Sequence, residues 1–127
     1  MAGAACASAL AAAACASTAP HGDLSGTGWV VESIAGEAVS GPTIEFVEDR
    51  VSGTGGCNRF FGGYQVEGDR LTFSAVGSTR MACEEGIMRR ETEFFAVLSQ
   101  AQHYRRDGDR LVIRDNGERE LVLRRGA

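Results

Sequence analysis

Gly63-Tyr64-Gln65-Val66-Glu67, then Gly68-Asp69, then Arg70-Leu71-Thr72-Phe73 is the stretch that decides the architecture. Apolar and polar side chains alternate through both runs, so each run presents one apolar and one polar face. That period of two is the signature of a half-buried strand, and the Gly-Asp pair between the runs supplies a tight turn. The pattern extends in both directions. Upstream lie Trp29-Val30-Val31-Glu32-Ser33-Ile34, Thr43-Ile44-Glu45-Phe46-Val47 and Arg50-Val51-Ser52-Gly53, with Val47-Glu48-Asp49-Arg50 turning the second into the third. Downstream lie Gln102-His103-Tyr104-Arg105, Arg110-Leu111-Val112-Ile113 and Glu120-Leu121-Val122-Leu123. These are separated by Asp107-Gly108-Asp109 and by Asp115-Asn116-Gly117, which carries an Asn-Gly hairpin signal.

One segment breaks the alternation. Ile87, Glu91, Phe94, Leu98 and Ala101 recur at helical spacing, with Met88 and Phe95 beside them and Arg89, Arg90 and Glu93 on other faces. This predicts an amphipathic helix of about four turns. Glu84 and Glu85 at its start complement the helix dipole. The expectation is a mainly β (α+β) domain: a small antiparallel β-barrel of about eight strands, with the helix inserted between strands five and six. Closing the sheet removes its vulnerable edges. Trp29, Phe46, Phe60, Phe73, Phe94 and Phe95 are expected in the core, although a barrel of this size has room for one small ligand.

Two cysteine-centred motifs interrupt the strands: Gly53-Thr54-Gly55-Gly56-Cys57-Asn58-Arg59-Phe60 and Ser78-Thr79-Arg80-Met81-Ala82-Cys83. The glycine cluster marks a bulge or tight corner. Cys57 and Cys83 admit three readings: a disulfide, a buried reduced pair, or a reactive thiol at Cys83, where a helix N-terminus would lower the thiol pKa. A disulfide would close a loop with a separation of 26, worth about 3.5 kcal/mol by chain entropy. A nucleophile needs a positioned base, and His21 and His103 form no recognisable dyad with either cysteine. Asn58, Arg59 and Arg80 are the candidate binding residues beside the corner, with Arg as a bidentate anion donor. The competing expectation is that they only tie down backbone and nearby carboxylates. The cysteines and histidines lack the ligand spacing of a zinc site, and the glycine cluster lacks the Lys-Ser/Thr sequel of a phosphate loop. No metal, cofactor or catalytic residue is therefore assigned.

The chain has 127 residues, 43% hydrophobic and 24% charged, with a net charge of −4. That balance argues against a nucleic-acid partner. All basic side chains are Arg, and the doublets Arg89-Arg90, Arg105-Arg106 and Arg124-Arg125 read as mixed solvated surface. The first twenty residues carry no charged side chain and are mostly Ala, resembling the apolar centre and cleavage zone of an export signal. Leu10-Ala11-Ala12-Ala13-Ala14-Cys15 reads as a degenerate lipobox, making Cys15 the lipidation candidate; Cys6 matches less well. The organisation expected is a leader over 1–15, a flexible tether over 16–28 and a domain over 29–125. From Cys15 to Gly28 such a tether reaches roughly 20 Å. With Cys15 lipidated and Cys6 removed, Cys57 and Cys83 remain as an even pair, which in an exported domain favours a disulfide.

Trp29 opening a strand, Gly53-x-x-Gly56-Cys57-Asn58-Arg59-Phe60, Gly62-Gly63-Tyr64, Thr79-Arg80-Met81-Ala82-Cys83 and Gly108-Asp109-x-Leu111 together resemble the META/HslJ domain family, over roughly 24–125. The resemblance implies a cracked or lipocalin-like β-barrel with one helix. It also implies a bacterial envelope protein, often a lipoprotein, linked to heat-shock or antibiotic stress, with no established catalysis. Glu84 stands where many members place Pro. The function expected is a non-enzymatic envelope binding domain, monomeric, exported to the periplasm or held at the membrane by a lipid anchor. Its partner would be a small hydrophobic ligand or a protein. The alternatives are an inhibitor or assembly module presenting the Cys57 loop, and a thiol enzyme using Cys83.

Overall fold

The computed structural model describes residues 22–126. Alternating residues give nine strands: β1 (Thr27–Ile34), β2 (Glu37–Ala38), β3 (Thr43–Val47), β4 (Arg50–Thr54), β5 (Arg59–Glu67), β6 (Arg70–Ser78), β7 (Ala101–Asp107), β8 (Arg110–Asp115) and β9 (Glu120–Arg125). A single described helix, α1 (Glu85–Ser99), lies between β6 and β7. Every strand pairing is antiparallel, in the order β2-β1-β3-β4-β5-β6-β7-β8-β9, and β1 pairs again with β9. That last pairing, Trp29↔Arg125 through Ile34↔Leu121, closes the sheet into a barrel. Eight strands form the wall. The two-residue β2 only flanks the far end of β1, so the helix follows the fifth wall strand, as the periodicity predicts.

The wall is thin at one seam. β6 and β7 share only the Arg70↔His103 bridge, supported by the Tyr104 N–H donating to the Asp69 carbonyl at 2.9 Å. Helix α1 packs against β6 and covers the end of the barrel where β4 turns into β5. Its inward residues Phe94, Val97 and Leu98 are at most 1% exposed, and Phe60 meets Phe94 and Phe95 edge-on at centroid distances of 5.6 and 5.8 Å. At the opposite end Leu24 is fully buried. The Thr27 hydroxyl donates to the Leu24 carbonyl and accepts the Trp29 indole N–H at 2.7 Å. Arg106 and Arg125 lie over the Trp29 ring at 5.3 and 5.7 Å, and the Arg106 guanidinium donates to the Asp23 carbonyl. Residues 22–28, expected in the tether, are thus part of the folded unit, because burying Leu24 stops that end of the barrel. The packing on both ends fills the interior: Trp29, Phe46, Phe60, Tyr64 and Phe94 are all at most 2% exposed and belong to one contiguous core.

The β8–β9 connection departs from the Asn-Gly hairpin expectation. Residue Glu118, not Gly117, takes the positive φ of 72°. The cause is Asp115, 3% exposed, whose carboxylate accepts from the Gly117 N–H, the Arg119 N–H and the Arg119 guanidinium at 2.8–2.9 Å. Those bonds stabilise a wider loop than a two-residue turn. Burial pushes the Asp115 carboxyl up, but the bonds from Arg119 and Gly117 outweigh it and hold the group below its ordinary value.

Candidate functional site

The glycine corner links β4 to β5 at the helix-covered end of the barrel. Gly53 has φ 155°, and a Cβ there would run into the Thr43 carbonyl across the ladder. Gly55 is required by proximity: a Cβ would sit 2.7 Å from Glu91 Cγ and 3.0 Å from the Phe95 ring. The absent side chains let helix α1 approach the corner backbone directly. Cys57 and Cys83 are joined by a disulfide with their Cα atoms 6.1 Å apart, which ties the corner to the residues just before α1. The Cys83 end is exposed and the Cys57 end half-buried.

A second attachment runs beneath the sulfurs. Glu91, on the inward face of α1 and 3% exposed, accepts the Cys57 and Asn58 backbone N–H groups on Oε2 at 2.9 and 2.5 Å. Its Oε1 accepts the Asn58 side-chain amide at 2.7 Å. Asn58 is 4% exposed and has no hydrogen-bonding capacity left. Its Nδ2 also donates to the Met81 carbonyl at 3.2 Å, while Oδ1 accepts the Met81 N–H at 2.6 Å and the Thr79 hydroxyl at 2.9 Å. An amide side chain offers two donor hydrogens and two acceptor lone pairs, and all four are used internally. The Asn58 carbonyl accepts the Gly55 N–H and the Thr54 hydroxyl as well.

The sequence candidates therefore separate. Asn58 is a structural node that no ligand reaches. Arg59 opens β5 and Arg80 lies in the irregular segment before α1; both are exposed and neither forms an ion pair among the described residues. His103 sits in β7, where it lines a hollow with Asp69, Tyr104 and Arg105 away from the corner. Cys15, Cys6 and His21 lie outside the described residues. Glu91 was not singled out from the sequence as a site residue. Its signal was there: a carboxylate in the apolar stripe Ile87, Glu91, Phe94, Leu98 must find N–H partners once buried, and the glycine corner supplies them.

The META domain profile matches residues 22–127. The chain belongs to the META domain family. The match begins at Gly22, two residues before the buried Leu24. Among solved structures, this META domain is similar to a protein from Burkholderia xenovorans studied by NMR, at 24% identity and a TM-score of 0.66 over 82% of this chain and 84% of that one. A second NMR structure matches at 26% identity and 0.67, covering 80% and 90%. A crystal structure of a DUF4847 family protein from Bacteroides vulgatus shares the fold at 14% identity and 0.59, covering 80% and 94%. No curated protein matches this chain. The META family is not known for enzymatic activity.

Proposed function

We propose that this META domain is a non-enzymatic binding domain of the cell envelope with a stress-associated role, exported and either anchored through a lipid on Cys15 or free in the periplasm. The single observation that carries the reading is the Cys57–Cys83 disulfide. Such bonds form and persist in oxidising compartments. The uncharged Ala-rich segment before residue 21 points the same way. With both sulfurs joined, a thiol enzyme at Cys83 has no nucleophile. The filled interior favours recognition on the outside of the barrel over a ligand held within it. The hollows near the corner support this, the most relevant being about 250 Å³ and lined by Val39, Pro42, Gly56, Ile87 and Arg90 at the surface.

The test is the intact mass of the protein isolated from the membrane and soluble fractions of its host, without reductant. The expected mass shows loss of the leader, a lipid on Cys15 and two hydrogens fewer than the dithiol. An unprocessed, fully reduced chain in the cytosol would overturn the proposal.

A further inference from the structure

The seam between β6 and β7 leaves one strand half-paired. After the Arg70↔His103 bridge, β6 continues to Ser78 with β5 on one side and no strand on the other. A register shift between Ser74 and Gly77, with Ala75 at φ 52°, sets the last stretch, Val76–Ser78, apart from the rest of the strand. The Thr79 N–H donates to the Arg59 carbonyl at 3.0 Å, so the Ser78 carbonyl in the same trans peptide points the opposite way, to the open side. It accepts no backbone N–H among the described residues. Exposed strand edges are commonly blunted by charged side chains or proline. From Leu71 to Thr79 this one carries neither. A helix stands on the open side instead of a strand. Thr92, Phe95, Ala96 and Ser99 of α1 face Val76–Ser78 across a hollow of about 380 Å³. The helix wall spends its hydroxyl protons internally, Thr92 donating to the Met88 carbonyl and Ser99 to the Ala96 carbonyl. No charged side chain lines this hollow, whereas four other hollows on the described residues each include at least one.

We infer that this groove binds an extended, uncharged segment of another protein, which adds a short strand to β6 with α1 at its back. The inference rests on the reading of the domain as an outer-surface binding module and names its partner class. Two observations select the occupant. The open carbonyl of β6 is met by a backbone N–H held in a strand, as in β-strand addition, where ladder bonds give affinity and side-chain pockets give specificity. The charge-free lining rejects carboxylates and cations alike, because either would lose water and gain no partner. A second copy of this domain does not suit the site. A stable pair of folded domains buries about 800 Å² on each partner, and the edge open to one is only Val76–Ser78, flanked by α1. The groove is also built in advance. Phe95, on its helix side, packs edge-on against Phe60 at 5.8 Å and lies 5.6 Å from Phe94, so its ring is already placed. Little ordering cost remains for a partner to overcome.

The test titrates the oxidised full-length protein into a fluorescent peptide of alternating Val and Thr. Three matched peptides serve as controls: one N-methylated at every residue, which keeps the side chains and removes the ladder donors, and two with Glu or Lys in place of Val. Amide chemical shifts map the contact. The expected result is binding of the first peptide only, with shifts confined to 74–79 and 92–100. The double variant Thr92→Lys, Ser99→Lys places charges on the helix wall and should weaken binding at least about tenfold. Both positions are exposed, and an unchanged urea midpoint shows that the variant is folded. The peptide controls decide the matter on the unaltered protein whatever that variant does. Equal binding of the N-methylated, Glu or Lys peptide overturns the inference, as do shifts elsewhere or no binding at all. So does concentration-dependent dimerisation through β6. Any of these leaves the exported, filled-barrel reading standing, because that is tested by processing and sulfur chemistry alone.

Discussion

Glu91 accepts three N–H groups from one short stretch of backbone and side chain, and its two oxygens cannot be exchanged for an amide without conflict. A Glu91→Gln side chain must turn an NH₂ toward an existing donor on one side or the other. Leaving one or two buried donors unsatisfied costs about 1–3 kcal/mol. Glu91→Leu orphans all three and should cost more, with both effects read from the urea midpoint. A midpoint unchanged in Glu91→Leu would show that the bonds contribute nothing to stability. Glu91 was visible in the sequence as a member of a helical stripe, but not as a node. A carboxylate at an apolar position announces a partner without naming it. The partner lies more than thirty residues earlier, on a corner whose approach to the helix only packing creates. Asn58 is the converse case. The motif marks it as special, and only the count of its bonds shows that it is closed to ligands.

Helix α1 and the corner form the element that the disulfide controls. Glu84 precedes the helix and makes no side-chain capping bond, so the neighbouring Cys83 staple helps to hold the first turn in place. By chain entropy the closed loop contributes about 3.5 kcal/mol, a large part of the ~5–15 kcal/mol typical of a domain. Reduction should therefore lower the unfolding free energy by about that amount. The fold should nevertheless survive, because the Glu91–Asn58 bonds hold the same two elements together. Urea unfolding with and without reductant, followed by circular dichroism, checks both statements; collapse of all structure on reduction would show that the bonds cannot act alone. The helix itself was legible from its period to within two residues. Ala101, included in the stripe, begins β7 instead, because the chain reverses at Gln100 and the β7–β8 ladder claims the next residue.

At the scale of the whole molecule, stability should form a plateau in pH, bounded by Asp115 on the acid side and by two tyrosines raised by burial, Tyr104 and Tyr64, on the alkaline side. Asp115 is held below its ordinary value of 3.8, so its contribution is present above that pH and is lost as pH falls through the folded value. Tyr104 is pushed up to about 12 by burial first and then by Asp23, whose carboxylate accepts its hydroxyl at 3.1 Å. Its contribution is complete below pH 10 and is lost between 10 and about 12. Denaturation across pH should show Asp115→Asn flattening the acid limb and Tyr104→Phe flattening the alkaline one. Unaltered limbs would disconnect these groups from stability. Tyr104 and Asp23 also show where local reading stops. Residues 22–28 are polar and glycine-rich, so composition assigns them to a tether. One leucine within them finds the open end of a barrel, and burial of a single apolar side chain moves the domain boundary. The sequence alone determined the strand period, most of the turns and the helix, because those follow from nearest-neighbour sterics and spacing. Tertiary structure decided the filled interior, the Leu24 plug, the Glu91 node and which arginines stay unpaired, because each depends on groups far apart in the chain meeting where water is excluded.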